Sequence, residues 1–237
     1  MKDSEVLVGI ISGKRPGGVK ERPTEKYKFD FDTKIFSNNS DGYKTDLDIE
    51  NVPPEFEAEY KERFKTSDLA YYAPMNRSWA IKYAKDHGYK YLIQLDDNMV
   101  HFEIRYKLKS GKYYVASDSS DDLHKQMPND MIKYLIKVLE NTNAGMTGMD
   151  MQGTSTPSGY FLKERYVYSC LVMKLSAIPD DFQGDFEDDI EFRYKLKQRH
   201  TPTIQVPMFR YTKTAQRASK AKTSDDSSGN RAAYDKI

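Results

Sequence analysis

The sequence predicts an α/β domain: a mixed, mostly parallel sheet flanked by helices, with a β-hairpin insertion. Three observations predict it. Val6–Ile11 is a short apolar run ending in the loop "SGKRPGG", the pattern of a buried strand. "NRSWAIKYAKDHG" sets Ala80, Tyr83, Ala84 and His87 on one helical face, with Gly88 as its stop, and the strand Tyr91–Leu95 follows at once. "FEIRYKLKSGKYYVAS" reads as two strands turning at Ser110–Gly111.

The remaining elements fall between these. Residues 19–33 have no clean period and read as irregular. "KIFSNNSDG" is a short strand running into a polar turn at Asn38–Gly42. In "PPEFEAEYKERFK", Phe56, Tyr60 and Phe64 share a helical face and Pro54 suits the first turn. "SDSSDDLHKQ" is a solvated loop. "NDMIKYLIKVLE" is a helix with Asn129 as its expected cap and Met131, Tyr134, Leu135 and Val138 facing inward. Strands are expected at Tyr166–Met173 and over "TPTIQVPMF". We expect one domain over residues 1–211 and a polar, small-residue-rich tail over 212–237, mobile or ordered only on binding.

Composition narrows the function classes. A chain of 237 residues buries a core without a disulfide or metal staple. Its 37 basic and 36 acidic residues create no global field toward nucleic acid or an anionic membrane, so any polyanion contact is local. Cys170 is the single cysteine, which excludes an internal disulfide and suits a reducing compartment. The apolar run at Val6–Ile11 is too short for a signal-peptide core, and no stretch reaches the length of a membrane span. A soluble cytoplasmic protein is expected. "SGKRPGG" lacks the Walker spacing, and His87, His101, His124 and His200 show no zinc-ligand spacing. The 18 tyrosines suit a wet groove holding a polar ligand, or the edge of the core.

In such sheets ligands collect beyond the carboxyl ends of the strands, where Asp96, Asp97 and Asn98 should emerge. Adjacent carboxylates there suit a divalent cation that also carries substrate phosphates; an acidic turn is the other reading. In "GDFEDDIEF", Asp185, Glu187, Asp188 and Asp189 crowd a helix start whose inner face is read as Phe186, Ile190 and Tyr194. The helix dipole favours one or two acids there, by about 0.3–1 kcal/mol each. Four repel one another and can lift one carboxyl toward the range of a general base. Asp189–Arg193 and Glu191–Lys195 are spaced as surface pairs.

"NRSWAIKYAKDHGYKYLIQLDDN" resembles the helix and strand leading into the DxD-type motif of GT-A nucleotide-sugar glycosyltransferases. "IPDDFQGDFEDDIEFRYKLKQRHTPTIQVP" is similar to their later acidic segment, and "FSNNSDG" to the turn after their second strand. The resemblance covers most of residues 5–210, in order. It implies a nucleotide-sugar donor, a UDP-sugar first, and a single displacement at the anomeric carbon with inversion. It assigns Asp96 to the donor, and Asp97 and Asn98, with Asp96, to a divalent Mn2+ or Mg2+ at the diphosphate. Ser12, Gly13, Lys14, Arg15 and Asn39 would lie near the nucleotide and Arg77 near the donor. Asp188 would be the base, with Glu187 beside it. Two positions depart from the pattern. The third motif residue is Asn98, and Arg210, Tyr211 and Lys213 stand where the family often has a histidine. The sequence therefore leaves open whether a metal or a basic side chain neutralises the diphosphate.

The compact length, the irregular early segment and the tyrosine-rich hairpin are also similar to phage glycosyltransferases associated with TET-type dioxygenases. That likeness implies a hydroxymethylated pyrimidine of DNA as acceptor, flipped out to reach the site, in the cytoplasm of a host. "KLKSGKYY", Arg210, Lys213, Arg217, Lys220 and Lys222 would then contact phosphates, and hairpin tyrosines would stack on a base. Other readings are a glycan, lipid or protein acceptor, a sugar nucleotidyltransferase, or a nucleic-acid-binding module in which the acids are turns.

Overall fold

The computed structural model describes residues 2–64, 73–119, 122–152, 162–183 and 188–214. The strands are β1 (Val6–Ile11), β2 (Asp32–Ser37), β3 (Asp48–Asn51), β4 (Tyr91–Asp96), β5 (Met99–Lys107), β6 (Tyr113–Ser117), β7 (Met146–Met151), β8 (Lys163–Glu164), β9 (Cys170–Lys174) and β10 (Thr203–Lys213). They form one sheet in the order β3-β2-β1-β4-β9-β7-β10-β5-β6, with β8 paired to β10. β1 pairs in parallel with β2 and β4, β2 with β3, and β7 with β10, whereas β5, β8 and β9 run against the rest. The mixed, mostly parallel sheet is as predicted, hairpin included.

Helices α1 (Pro54–Phe64), α2 (Ala73–Asp86), α3 (Met127–Glu140) and α4 (Asp188–Gln198) flank it. β1 and β4 are apolar at nearly every position because both of their faces are covered. Val6, Val8, Ile93 and Leu95 pack with Met131, Ile132 and Leu135 of α3. Leu7, Ile11 and Leu92 point the other way, onto Ala80, Ile81 and Ala84 of α2 and Phe192 and Leu196 of α4. Burying each large side chain contributes about 1.5–3 kcal/mol, so these central strands are the anchor for the loops at their ends. No helix among the described residues is long and apolar enough to cross a membrane.

Several local expectations are corrected. His87 is exposed and stacks on the Tyr83 ring, and Ile81 takes the core position instead. Asn129 does not cap α3, which begins two residues earlier. Its buried amide donates to Lys28 O (3.1 Å) and Asp30 Oδ1 (3.3 Å), pinning the irregular segment. Tyr134 is exposed, its ring meeting Phe209 edge-on. On α4 the inward residues are Phe192 and Leu196, while Ile190 and Tyr194 face out. Phe186 lies outside the described residues. The expected Asp189–Arg193 and Glu191–Lys195 pairs do not form: Arg193 approaches Glu164 (3.8 Å) and Lys195 approaches Asp181 (3.5 Å). Strand structure starts at Cys170 rather than Tyr166, and the last strand runs on through Lys213.

Candidate active site

β1, β2 and β4 end at the same edge of the sheet, and their following loops interlock. After β1, Ser12 is buried and its hydroxyl donates to Asp97 Oδ2 (2.7 Å). Arg15 Nη1 reaches Asp97 Oδ1 (2.7 Å), so the loop grips both oxygens of one carboxylate. Between them, Lys14 adopts a left-handed conformation (φ 55°) and its amide donates to Asn39 O (3.3 Å) in the loop after β2. A side chain at Gly13 would come within 3.3 Å of Asn38 Oδ1 and 3.5 Å of Asn76 Nδ2. Asn76 of α2 donates to Ser12 O (2.8 Å). The consecutive residues Ser12, Gly13, Lys14 and Arg15 and the distant Asn39 thus form one rim.

The irregular segment braces the acidic turn. Thr24 Oγ1 donates to Asp96 O (2.6 Å) and accepts from Met99 N (2.9 Å), closing the two-residue turn at Asp97–Asn98. Arg22, fully buried, donates to Arg15 O and lies over the Tyr43 ring at 3.8 Å. Tyr43 OH in turn meets Ser12 Oγ at 2.9 Å. Sequence reasoning missed Arg22, Thr24 and Tyr43, since a lone Thr or Arg in an aperiodic stretch carries no local signal.

Arg77 joins the two acidic constellations. Its Nη2 lies 2.6 Å from Asp96 Oδ1, and its Nε lies 3.3 Å from Asp188 Oδ2 at the start of α4. Gln94 of β4 steadies the guanidinium by accepting from Nη1 (3.3 Å) and donating to Arg77 O (2.8 Å). α4 is brought there by its core face: Phe192 stacks on Phe182 with centroids 3.9 Å apart. Phe182 is tied to α1 and α2, accepting at its carbonyl from Tyr60 OH (2.7 Å) and donating its N–H to Ser78 Oγ (2.9 Å). One residue therefore touches both acid groups, which meet in a single site. Glu187 lies outside the described residues.

β10 supplies a second cation. Its antiparallel register against β5 sets Lys213 opposite Met99, and Thr214 N donates to Asn98 O (2.9 Å). Lys213 Nζ then sits 2.5 Å from Asp96 Oδ2 and 2.9 Å from Ser169 Oγ. Arg210, expected at a phosphate, is instead buried, paired with Glu103 (2.9 Å) and Asp150 (3.5 Å). The register accounts for the difference: Arg210 lies directly opposite Glu103 of β5 and Asp150 of β7, whereas Lys213 follows a register shift at Thr212. Arg217, Lys220 and Lys222 lie outside the described residues.

The carboxyls differ in charge state. Burial pushes Asp96 up, but Lys213 and Arg77 outweigh it and hold it well below the usual range. Burial pushes Asp97 up to about 6 against the pull of Arg15 and Ser12. Burial also pushes Asp188 up to about 6, with Arg77 pulling down and Asp189 and Asp96 pushing up. Asp189 is raised by burial too.

These contacts bear on the implied metal. Both oxygens of Asp96 face cationic nitrogens, and both oxygens of Asp97 accept hydrogen bonds, one from Arg15. Asn98 is buried, and its Oδ1, without a hydrogen bond, is the one open oxygen of the motif. Among the described residues no three His, Cys, Asp or Glu side chains cluster as metal ligands. A donor set already matched to positive groups does not fit a divalent ion, because the metal would have to displace those cations.

Away from the cleft, the β5–β6 hairpin carries exposed Lys107, Lys109 and Lys112 beside exposed Tyr113 and Tyr114. Arg105 lies over the Tyr113 ring at 4.4 Å.

Comparison with known proteins follows this geometry. The profile of the TET-associated glycosyltransferases matches residues 71–222, which span α2, the acidic turn, α4 and β10. The chain belongs to this family. It is a glycosyltransferase. No curated protein matches the chain. Among solved structures it is similar to a candidate nucleotide-diphospho-sugar transferase from Desulfovibrio desulfuricans G20, with 10% identity over 89% of this chain and 82% of that one and a TM-score of 0.44. It is also similar to S. aureus TarS 1–349, with 10% identity over 89% and 60% and a TM-score of 0.48. The third is A197 from STIV, with 11% identity over 89% and 85% and a TM-score of 0.45.

Proposed function

We propose that this glycosyltransferase moves a sugar from a UDP-sugar to the hydroxyl of a hydroxymethylated pyrimidine in DNA, with inversion at the anomeric carbon, in the cytoplasm of a host cell. The observation that carries the reading is the bridge Asp96–Arg77–Asp188, which sets a donor-side acid and a base-side acid on one guanidinium.

In this reading the rim of Ser12, Gly13, Lys14, Arg15 and Asn39 receives the nucleotide, and Asp96 holds Arg77 and Lys213 toward the diphosphate. Asp188 is the base. Its carboxyl, raised to about 6, is ionised at neutral pH yet basic enough to take the proton of an attacking hydroxyl. The acceptor oxygen attacks the anomeric carbon from the face opposite the leaving group. The bond to the diphosphate then breaks with its electron pair staying on phosphate. Mn2+ or Mg2+ does not enter the reading, because the oxygens that would hold an ion face Arg77, Lys213, Arg15 and Ser12. The TET association in the family's description supports a base hydroxymethyl group as acceptor. The lysine-flanked tyrosines of the hairpin suit a single strand or a flipped base.

The test offers labelled UDP-sugars to the full chain with DNA containing hydroxymethylcytosine, hydroxymethyluracil or neither, followed by mass analysis of the nucleosides. Sugar on the hydroxymethylated base alone is expected. Transfer to other acceptors with DNA unlabelled would overturn the acceptor, and nucleoside triphosphate turnover without transfer would point to a nucleotidyltransferase.

A further inference from the structure

The proposed transfer leaves a diphosphate whose growing negative charge needs a positive partner, and the site has one at the end of a strand. Lys213 is the last residue of β10, paired with Met99 just past a register shift at Thr212, and the next amide, Thr214 N, donates to Asn98 O. Its side chain is largely buried, at 18% exposure, so its charge acts with little screening. An ammonium has three N–H donors. Asp96 and Ser169 take two of them, which leaves one for a phosphate oxygen. Arg15 uses one nitrogen on Asp97 and keeps further donors of its fork, with its side chain 29% exposed at the cleft rim.

We infer that Lys213, with Arg15 beside it, neutralises the departing diphosphate in place of a divalent metal, so that donor binding and transfer by this enzyme need no metal ion. The inference rests on the proposed donor site. It turns the disagreement between the motif's engaged carboxylates and a metal into a specific assignment. As the acceptor oxygen bonds to the anomeric carbon and the old C–O bond breaks, the electron pair remains on the β-phosphate, facing the Lys213 ammonium. The acceptor proton passes to Asp188. Lys213 takes no part in the proton transfer and serves only to face the departing oxygen. Asp96 then acts as a positioning residue, whose two oxygens hold Lys213 and Arg77 toward the cleft.

The experiment is calorimetric titration of the full chain with UDP, CDP, GDP and dTDP, each in EDTA and again in Mn2+. At least one diphosphate is expected to bind wild-type protein with Kd values within about twofold in the two buffers. Lys213→Met should weaken that diphosphate at least tenfold in EDTA while leaving the matching nucleoside unchanged, and Lys213→Arg should restore most of the loss. The two-buffer comparison on wild type stands even if Lys213→Met does not fold. Wild-type affinity more than tenfold weaker in EDTA would overturn the inference, as would unchanged affinity in folded Lys213→Met. If no diphosphate binds in either buffer, the donor site itself is withdrawn and the inference with it, an outcome distinct from metal-dependent binding.

Discussion

The acidic turn after β4 and the acidic start of α4 both lean on Arg77, yet their carboxyls are set oppositely. Asp96 has a cation on each oxygen and is held far down; Asp188 has only the edge of Arg77, at 3.3 Å, and burial pushes it up to about 6. The same guanidinium therefore serves one acid as a full partner and the other as a partial one. Environments that split two acids in this way divide their roles: one remains a fixed charge, and the other can exchange a proton near neutral pH. The difference comes from Lys213, which reaches Asp96 from the end of β10, while among the described residues no comparable cation serves Asp188.

The largest expected effect comes from removing the exchangeable acid. Asp188→Asn should lower kcat by about 100- to 10,000-fold, the span of general base catalysis, with diphosphate affinity changed less than twofold. Labelled-sugar transfer and calorimetry on the same variant check this. Near wild-type turnover would place the base elsewhere, in the segment outside the described residues that includes Glu187.

Breaking the shared partner comes next. Arg77→Leu leaves buried acids without their cation, which costs about 3–5 kcal/mol in denaturant unfolding at pH 8. The pH dependence follows from sign. A carboxyl raised in the folded state binds its proton more readily folded than unfolded, so lowering pH favours the fold. The deficit of the variant should shrink as pH falls toward about 6, because Asp188, freed of the Arg77 charge that pulls it down, takes its proton above that value. A pH-independent deficit would show that Arg77 matters through packing rather than charge.

A milder test moves the titration itself. Wild-type kcat should fall tenfold per unit below about pH 6, since the base must be ionised. Asp189→Asn removes a neighbouring negative charge that pushes Asp188 up, so the acid limb should slide to lower pH. A limb that stays in place would leave burial, the largest cause, and Asp96 as what raises Asp188.

Much of this was legible in the sequence. β1, β4 and the hairpin announce themselves by apolar runs and a Gly turn, and the polar stretches at the strand ends fall where sheet geometry puts them. β7 was not legible. "MTGMDM" has one β-branched residue, Thr147, and a glycine in its middle that close packing demands: a Cβ on Gly148 would stand 1.9 Å from Val167 Cγ1 and 2.4 Å from Cys170 O. β3, with its polar sequence "DIEN", pairs only at the sheet edge and buries none of its residues fully. The face of α4 was misread because Ile190 and Tyr194 look apolar, whereas the packing against Phe182 selects Phe192 and Leu196. The partners of the acids were the least legible. Thr24 and Lys213 reach Asp96, and Arg22 braces Arg15, through long-range contacts that nothing local in a sequence encodes.

The smallest effect concerns the mount of α4. Tyr60 OH donates to Phe182 O (2.7 Å) from α1, fixing the ring on which Phe192 stacks. Tyr60→Phe keeps the ring volume and removes only the donor. Because Ser78 Oγ also approaches Phe182 O (3.3 Å), the carbonyl is not wholly abandoned. The cost should therefore stay near that of one hydrogen bond, about 1 kcal/mol, or roughly 2–4 °C in Tm for a chain of this size. The acid limb of kcat should not move, since neither the burial of Asp188 nor its charged neighbours change. If Tyr60→Phe shifts that limb as far as Asp189→Asn does, the pKa of Asp188 depends on how firmly α4 is seated as well as on the charges around it. The contrast between the two acids would then belong to the packing of α1, Phe182 and Phe192 as much as to Lys213.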